Sequence, residues 1–307
     1  MDDTAQYDTV IIGGGPAGLT AAQTLTRYRH RTLVIEAPSP PRNAASRGVH
    51  GLIGLEGATP DELRTHAWEE LGRYGLAQRL DATVREITPL SGDGFTVGVD
   101  DGTTVWARNV ILATGVIDQP PDGVEGFAAC WGRTVIHCPF CVGEENADRT
   151  WALVSDEPLY LGMAATAFRA WTGDAVAIAP PSLPGADELR RSLRERGSDL
   201  VQGEITRLHH TDGDLHAVEL ADGTLLERQT LLWPRPQRQV PLVERLAREY
   251  GLALDDGYVT VDEGRQTSVP GLYAAGDLTG RTWEQGVVPA VTAGAAAADA
   301  IHFARLA

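Results

Sequence analysis

The sequence predicts an α/β protein of two Rossmann-like dinucleotide-binding domains, the first discontinuous and the second inserted into it. Three observations carry this. A glycine-rich turn, Gly13-Gly14-Gly15-Pro16-Ala17-Gly18, stands between a short apolar run and a helical pattern. The middle of the chain repeats a strand–helix–strand pattern at residues 150–155, 159–171 and 174–179. The end resembles the beginning again, with an apolar strand closing in Gly276-Asp277 and an alanine-rich helix running to residue 305.

Taken in order, residues 8–12 are apolar enough for a buried strand, and helical spacing continues to about Tyr28. Residues 32–36 form the next strand, which ends on Glu36. Leucines and charges at helical spacing mark 61–74. Two alternating segments, 95–99 and 103–107, joined across Asp100-Asp101-Gly102, read as a hairpin, and 110–115 as a separate buried strand. Proline-rich breaks at 118–123 and 233–241 suit domain crossovers, because proline stiffens a connection and cannot continue a ladder. The expected domains are therefore residues 1–118 with 242–307, and an insert at 119–241.

Composition narrows the partners. The formal net charge of −16 disfavours nucleic acid and anionic membrane as partners. No run approaches the ~18 consecutive apolar residues of a membrane span. The start, Met1-Asp2-Asp3, lacks the basic region of a signal peptide, so a cytoplasmic location is expected. All 26 basic residues are Arg, which reads as codon bias and not as a functional signal.

The first glycine turn has a physical logic. Gly13 permits a tight turn, Gly15 lets backbone approach a pyrophosphate, and Gly18 allows close helix–strand packing. The helix start offers free N–H groups to phosphate. Glu36, at the end of the second strand, is placed to accept hydrogen bonds from ribose hydroxyls, which argues against a bare turn without ligand.

Three cysteines are too few for a secreted disulfide scaffold. Cys138-Pro139-Phe140-Cys141 has the spacing of a redox-active pair, in which a thiolate at one position can attack and the other closes the ring. If a helix begins there, its dipole lowers a thiol pKa. The alternative is a zinc site from Cys130, His137, Cys138 and Cys141. Adjacent His137 and Cys138 are awkward for one tetrahedral ion, and no second Cys-x-x-Cys exists; no metal is expected.

These features together resemble a known family. Thr114-Gly115 and Gly276-Asp277, each closing a buried strand, resemble flavoproteins of the two-dinucleotide-domain superfamily, the class II pyridine nucleotide-disulfide oxidoreductase type. The Cys-x-x-Cys on the inserted domain is similar to that of low-molecular-weight thioredoxin reductases. Pro41-Arg42-Asn43-Ala44, His50-Gly51, Trp131-Gly132-Arg133, His137-Cys138-Pro139-Phe140-Cys141 and residues 267–277 resemble the thioredoxin-reductase-like FAD-dependent dithiol oxidases of the gliotoxin and holomycin type. The resemblance implies FAD held by Gly13, Gly15, Pro16, Ala17, Gly18, Glu36, Arg42, Asn43, Val84, Ala113, Thr114, Gly115, Gly276 and Asp277. It implies that Cys141 faces flavin C4a and Cys138 meets the substrate. It also implies a homodimer, and a place for Trp283 and its neighbours near the flavin.

Two departures direct the reading. Where a nicotinamide site needs a second glycine turn, the strand at 151–155 runs into Asp156-Glu157-Pro158, and carboxylates sit where a pyrophosphate needs amides. Residues 174–179 then lead into Pro180-Pro181, without an acid for an NAD ribose. Usual-mode NAD(P)H binding is therefore not expected, and O2 is the simplest acceptor for a reduced flavin. The second departure is Val142, where the family places Asp or His for proton transfer. His137, taken first, then Glu144, Glu145 and His50 are the candidate bases. His209, His210 and His216 flank an Asp-Gly turn and read as surface residues. The expected activity is oxidation of a small-molecule dithiol to its disulfide with O2, in natural-product biosynthesis or self-resistance. Alternatives are a protein disulfide reductase with another electron donor, such as ferredoxin, and a non-enzymatic redox sensor.

Overall fold

The computed structural model describes residues 6–91, 94–281 and 284–306. The chain forms two compact units. Unit 1 comprises residues 1–44, 48–117 and 237–307, and unit 2 comprises 45–47 and 118–236. The elements run β1 (Gln6–Ile12), α1 (Pro16–Arg27), β2 (Thr32–Glu36), α2 (Pro60–Gly72), β3 (Ala77–Asp81), β4 (Val84–Pro89), β5 (Phe95–Val99) and β6 (Thr104–Leu112), then β7 (Ile117–Asp118) at the passage into unit 2. Unit 2 continues with α3 (Phe127–Cys130), β8 (Val135–Ile136), α4 (Pro139–Val142), β9 (Trp151–Val154), α5 (Pro158–Ala167), β10 (Ala175–Ala179), α6 (Ala186–Glu195), β11 (Asp199–Gln202), β12 (Ile205–Thr211), β13 (Asp214–Leu220), β14 (Leu225–Glu227) and β15 (Thr230–Leu232). Unit 1 resumes with β16 (Gln237–Arg238), α7 (Pro241–Tyr250), β17 (Leu254–Asp255), β18 (Tyr258–Val259), β19 (Leu272–Ala274) and α8 (Val287–Ala304).

Unit 1 is built on a sheet of order β3-β2-β1-β6-β5-β4, with β19 also on β6. The β3-β2-β1-β6 run and β19 are parallel, whereas β4, β5 and β6 pair antiparallel. Both faces are covered, which explains why the strands read as continuous apolar runs. Val10, Ile12, Leu33, Ile35, Val110 and Leu112 point to one core, while Ile11, Val34 and Ile111 point to the other with α1 and α8. One expectation changes. Residues 103–107 and 110–115 are not two strands: β6 runs unbroken from Thr104 to Leu112. Arg108-Asn109 reads as a polar break, but Asn109 pairs with Thr9, and the other edge passes from β5 to β19 without interrupting β6.

A capping box starts α2: the Thr59 hydroxyl accepts from the Glu62 amide, and Glu62 answers on the Thr59 amide. Helix α8 has the length and mean hydropathy of a membrane span, although it is not an unbroken apolar run. Its Ala290, Ala293, Gly294, Ala297, Ala298 and Ile301 are buried in the core shared with α1. A Cβ at Gly294 would strike the Ala17 backbone, so the close approach of α1 and α8 depends on glycine there. That is core-helix packing.

Unit 2 carries a five-stranded parallel sheet, β11-β10-β9-β15-β8, and an antiparallel sheet, β12-β13-β14. Alternation again divides the strands. Ile136, Trp151, Leu153, Ala177 and Ala179 join one core, and Val135, Ala152 and Ile178 join the other.

Candidate active site

The ends of β1, β6 and β19 converge on the glycine turn of unit 1. Gly13 has φ +114°, and a Cβ there would collide with the Ala113 carbonyl. A Cβ at Gly18 would collide with the Gly13 carbonyl, so both glycines are required by space. Gly15 caps α1 with no side-chain hydrogen bond, and nothing lies within 4 Å of where its Cβ would be. Pro16 opens the helix, and the buried Ala17 lies under Gly276, whose added Cβ would sit 3.0 Å from it. Beyond β6, the Thr114 hydroxyl is buried without a hydrogen-bond partner among the described residues, and Gly115 adopts φ +62°.

Glu36 is only 9% exposed and is held from two sides. Arg64 donates to its Oε1 at 2.5 Å, and Arg79 lies 3.6 Å from its Oε2 while stacking over Trp68. Oε2 accepts no hydrogen bond among the described residues. The carboxylate reaches the turn itself, since a Cβ at Gly14 would lie 2.6 Å from Oε2. At the other end, Arg42 donates to Asp277 and to the buried Gln285, each at 2.8 Å. Gln285 donates in turn to Gln237 at 2.7 Å, which also accepts from Tyr258. The Gly286 amide donates to Asp277 Oδ1 at 3.3 Å. Val84 is buried at the start of β4, and Asn43 is exposed in a turn closed by the Ala44 amide on the Pro41 carbonyl.

A dinucleotide fits this arrangement: open space over Gly15, an uncapped helix start, and two buried polar oxygens awaiting partners. Arg64, Arg79 and Trp68 escaped the sequence reading, because side chains of α2 and β3 read as surface until both elements meet the end of β2.

In unit 2, the chain leaves β8 through His137 into the redox pair. Cys138 is the extended N-cap of α4, and Cys138 and Cys141 are joined as a disulfide with Cα atoms 5.4 Å apart. The helix at the motif is a single turn of four residues. Its dipole is correspondingly small, which weakens the expected acidification of a thiol. A Cβ on Gly143 would strike the Pro139 carbonyl and crowd the Trp171 ring. Buried Asn146 then fastens the segment: it donates to the Val142 carbonyl at 2.9 Å, accepts from Thr230 at 3.0 Å and offers its own carbonyl to Trp151.

The two cysteines differ in access. Cys138, which the resemblance assigns to the substrate, is only 9% exposed, and Cys141 is half-buried. Cys130 is fully buried between Phe127 and Val135, and burial pushes its thiol pKa up.

Val142 packs against the apolar cluster of Ile136, Trp151 and Phe168. Tyr160 borders the same cluster, and burial pushes its phenol up to about 12, so it keeps its proton at neutral pH. Of the candidate bases, His137 is half-buried with its ring 5.7 Å from Trp131, and Glu144 and Glu145 are exposed. His50 lies in unit 1 and meets Glu56 at 2.6 Å, which holds the Glu56 carboxyl below its usual range. His209 pairs with Glu219 at 2.7 Å, His210 accepts from the Gly213 amide, and His216 meets Thr211, all on the β12–β13 hairpin. Trp283 lies outside the described residues.

The second strand–helix turn is unlike the first. β9 ends at Val154, Asp156 and Glu157 follow exposed, and α5 starts at Pro158, which has no N–H. The Glu157 amide is taken by the Ser155 hydroxyl at 3.1 Å.

The family model for pyridine nucleotide-disulphide oxidoreductases matches residues 7–140 and 184–297. The chain belongs to that family. Thioredoxin reductase aclD of Aspergillus oryzae is 31% identical over 285 residues, spanning 88% of each chain. Thioredoxin reductase sirT of Leptosphaeria maculans is 30% identical over 321 residues, spanning 97% of this chain and 94% of its own. Among solved structures, HlmI superposes with a TM-score of 0.88 at 30% identity, covering 100% of this chain and 94% of that one. A putative thioredoxin reductase TrxB from Bacillus anthracis does so with 0.88 at 26% identity, covering 97% and 98%. As a member of this family, the protein is a thioredoxin-reductase-like, flavin-dependent thiol/disulfide oxidoreductase, and FAD is its cofactor.

Proposed function

We propose that the protein is a dithiol oxidase, which closes a small-molecule dithiol to its intramolecular disulfide through Cys138 and Cys141 with O2 as electron acceptor. The observation that carries this reading is the turn at Ser155-Asp156-Glu157-Pro158. Two exposed carboxylates and a proline stand where a nicotinamide dinucleotide would need free amides, and negative charge there repels a pyrophosphate. Electrons therefore enter from a thiol. The resemblance of the chain's motifs to the dithiol oxidases of the gliotoxin and holomycin type supports a small-molecule substrate.

The residues divide the work. Gly13, Gly15, Gly18 and Thr114 would line the pyrophosphate turn, Glu36 would hold the ribose, and Asp277, set by Arg42 and Gln285, would hold the ribityl end. FAD, when bound, would supply the two-electron acceptor for the reduced cysteine pair and the site at which O2 would be reduced to hydrogen peroxide. At the cysteines, a substrate thiolate attacks Cys138 sulfur, the Cys138–Cys141 bond breaks, and Cys141 leaves as thiolate. The second substrate thiolate displaces Cys138, so the substrate is oxidised by two electrons and the enzyme pair is reduced by two. Val142 takes no part in proton transfer; His137 is the first candidate to receive the substrate's proton. The protein works in the cytoplasm and as a homodimer in this reading.

Anaerobic dithiothreitol is expected to bleach the flavin of the purified protein, and air to restore it with stoichiometric peroxide. NADPH under the same conditions leaves it oxidised. A flavin bleached by NADPH and untouched by dithiol would replace this reading with the reductase that the relatives' names describe.

A further inference from the structure

The exposed ring between the two redox cysteines calls for an explanation. The disulfide brings Cys138 and Cys141 together at the start of α4, and the two residues between them differ in exposure. Pro139 is buried, whereas Phe140 is 74% exposed. Its inner edge rests against Trp171, with ring centroids 5.7 Å apart at 75°. Trp171 is itself anchored, stacked on the fully buried Trp151 and packed around Gly143. The turn thus presents one rigidly backed aromatic ring to solvent, covalently bracketed by the cysteines.

We infer that Phe140 is a substrate-recognition residue, a platform on which the ring of a neutral, ring-bearing dithiol stacks while its thiols reach the cysteine pair. The inference rests on the dithiol-oxidase reading and deepens it by naming the substrate class. The size of the apolar surface favours one ring over a protein. On the turn itself Cys138 and Pro139 are buried and Cys141 and Val142 half-buried, so Phe140 is the one exposed apolar side chain there, and the exposed Leu159 and Met163 belong to α5. A protein partner needs a broader surface. Charge favours a neutral ligand, because exposed Glu144 and Glu145 follow the turn directly and repel an anionic one.

The test compares two dithiols that both close to six-membered cyclic disulfides: 1,2-bis(mercaptomethyl)benzene, which carries a ring, and dithiothreitol, which does not. Peroxide-linked turnover is measured for FAD-loaded wild type, Phe140→Ala and Phe140→Tyr. In Phe140→Ala the ratio of kcat/KM for the aromatic dithiol to that for dithiothreitol is expected to fall about two- to tenfold, mainly through KM, the range of one aromatic contact. Phe140→Tyr restores the ratio. Dihydrolipoate, an anionic dithiol, is expected to be poorer than dithiothreitol. An unchanged ratio overturns the inference, as does an equal loss on both dithiols or a preference for dihydrolipoate. A loss confined to oxidation of reduced thioredoxin overturns it in favour of protein docking. If neither dithiol bleaches wild-type flavin anaerobically, the dithiol reading itself fails and this inference falls with it.

Discussion

The two strand–helix turns of this molecule sit at equivalent points of two similar layers and do opposite things. After β1, a Cβ at Gly13 or Gly18 would strike a neighbouring carbonyl, and Gly15 leaves the space at the helix start open. Beyond that turn, Glu36 is set by two arginines. After β9, Asp156 and Glu157 bring side chains and negative charge to the corresponding position, and Pro158 removes an amide. A Rossmann-like layer therefore folds on its parallel strands and covering helices, and the glycine turn is a requirement of the first layer alone, where Gly13 and Gly18 meet backbone and Gly15 leaves room for a ligand. In the proposed function no dinucleotide has to be accommodated at the second turn, and β9 there pairs with β10 and β15 beside the carboxylates. Unit 2 keeps its layer as a frame for the Cys138–Cys141 turn, which Asn146 ties to β9 and β15.

This contrast can be broken from either side. The largest effect is expected from Cys138→Ser: dithiol turnover is lost entirely while the visible flavin absorbance per protein is kept, because the glycine turn proposed to hold FAD lies in unit 1 and Cys138 in unit 2. Next, Gly18→Val forces a side chain onto the Gly13 carbonyl. Purified protein should lose most of its flavin, and unfolding should be easier by ~1–3 kcal/mol, as for overpacking elsewhere. Arg64→Ala leaves the buried Glu36 with Arg79 alone, and FAD affinity measured by fluorescence titration should drop about tenfold, about 1.4 kcal/mol. Asp156→Gly with Glu157→Gly removes charge from the second turn without adding a ribose acid. NADPH binding should become measurable yet remain too weak to drive turnover; full NADPH-dependent reduction would show that charge alone separates the two turns.

The smallest effect concerns the α1–α8 seam beneath the first turn. His30 is 2% exposed and meets His302 at 3.1 Å, and burial holds its pKa below the usual value despite the opposing pull of Asp8. The unfolded chain then binds a proton at pH values where the folded chain does not. The stabilising contribution is complete above about 6.5 and is lost as pH falls through that value toward the folded pKa. Thermal unfolding between pH 7.5 and 5.5 should show a steeper fall for wild type than for His30→Gln.

Much of this was legible in the chain itself. The glycine spacing and the acid at the end of β2 are local signals, and so is the Cys-x-x-Cys pair. Each follows from what one short segment must do. The unbroken β6 was not legible, because a polar Arg108-Asn109 step reads as an end unless its neighbours on both edges are known. The length of the helix at the cysteines was equally hidden: Gly143, crowded by Trp171, and buried Asn146 shape its exit.

By itself, then, the sequence determined the class of fold, the dinucleotide turn of the first layer, the charged turn of the second and the chemistry of the cysteine pair. Those depend on backbone freedom, charge and covalent reactivity, which a residue carries wherever it sits. Only the tertiary structure decided which arginines hold Glu36, what sets Asp277, that Val142 faces a core and that Phe140 faces solvent. Arg64 lies 28 positions from Glu36, and Arg42 lies 235 from Asp277. Pairings across such distances are created by packing, and no local pattern encodes them.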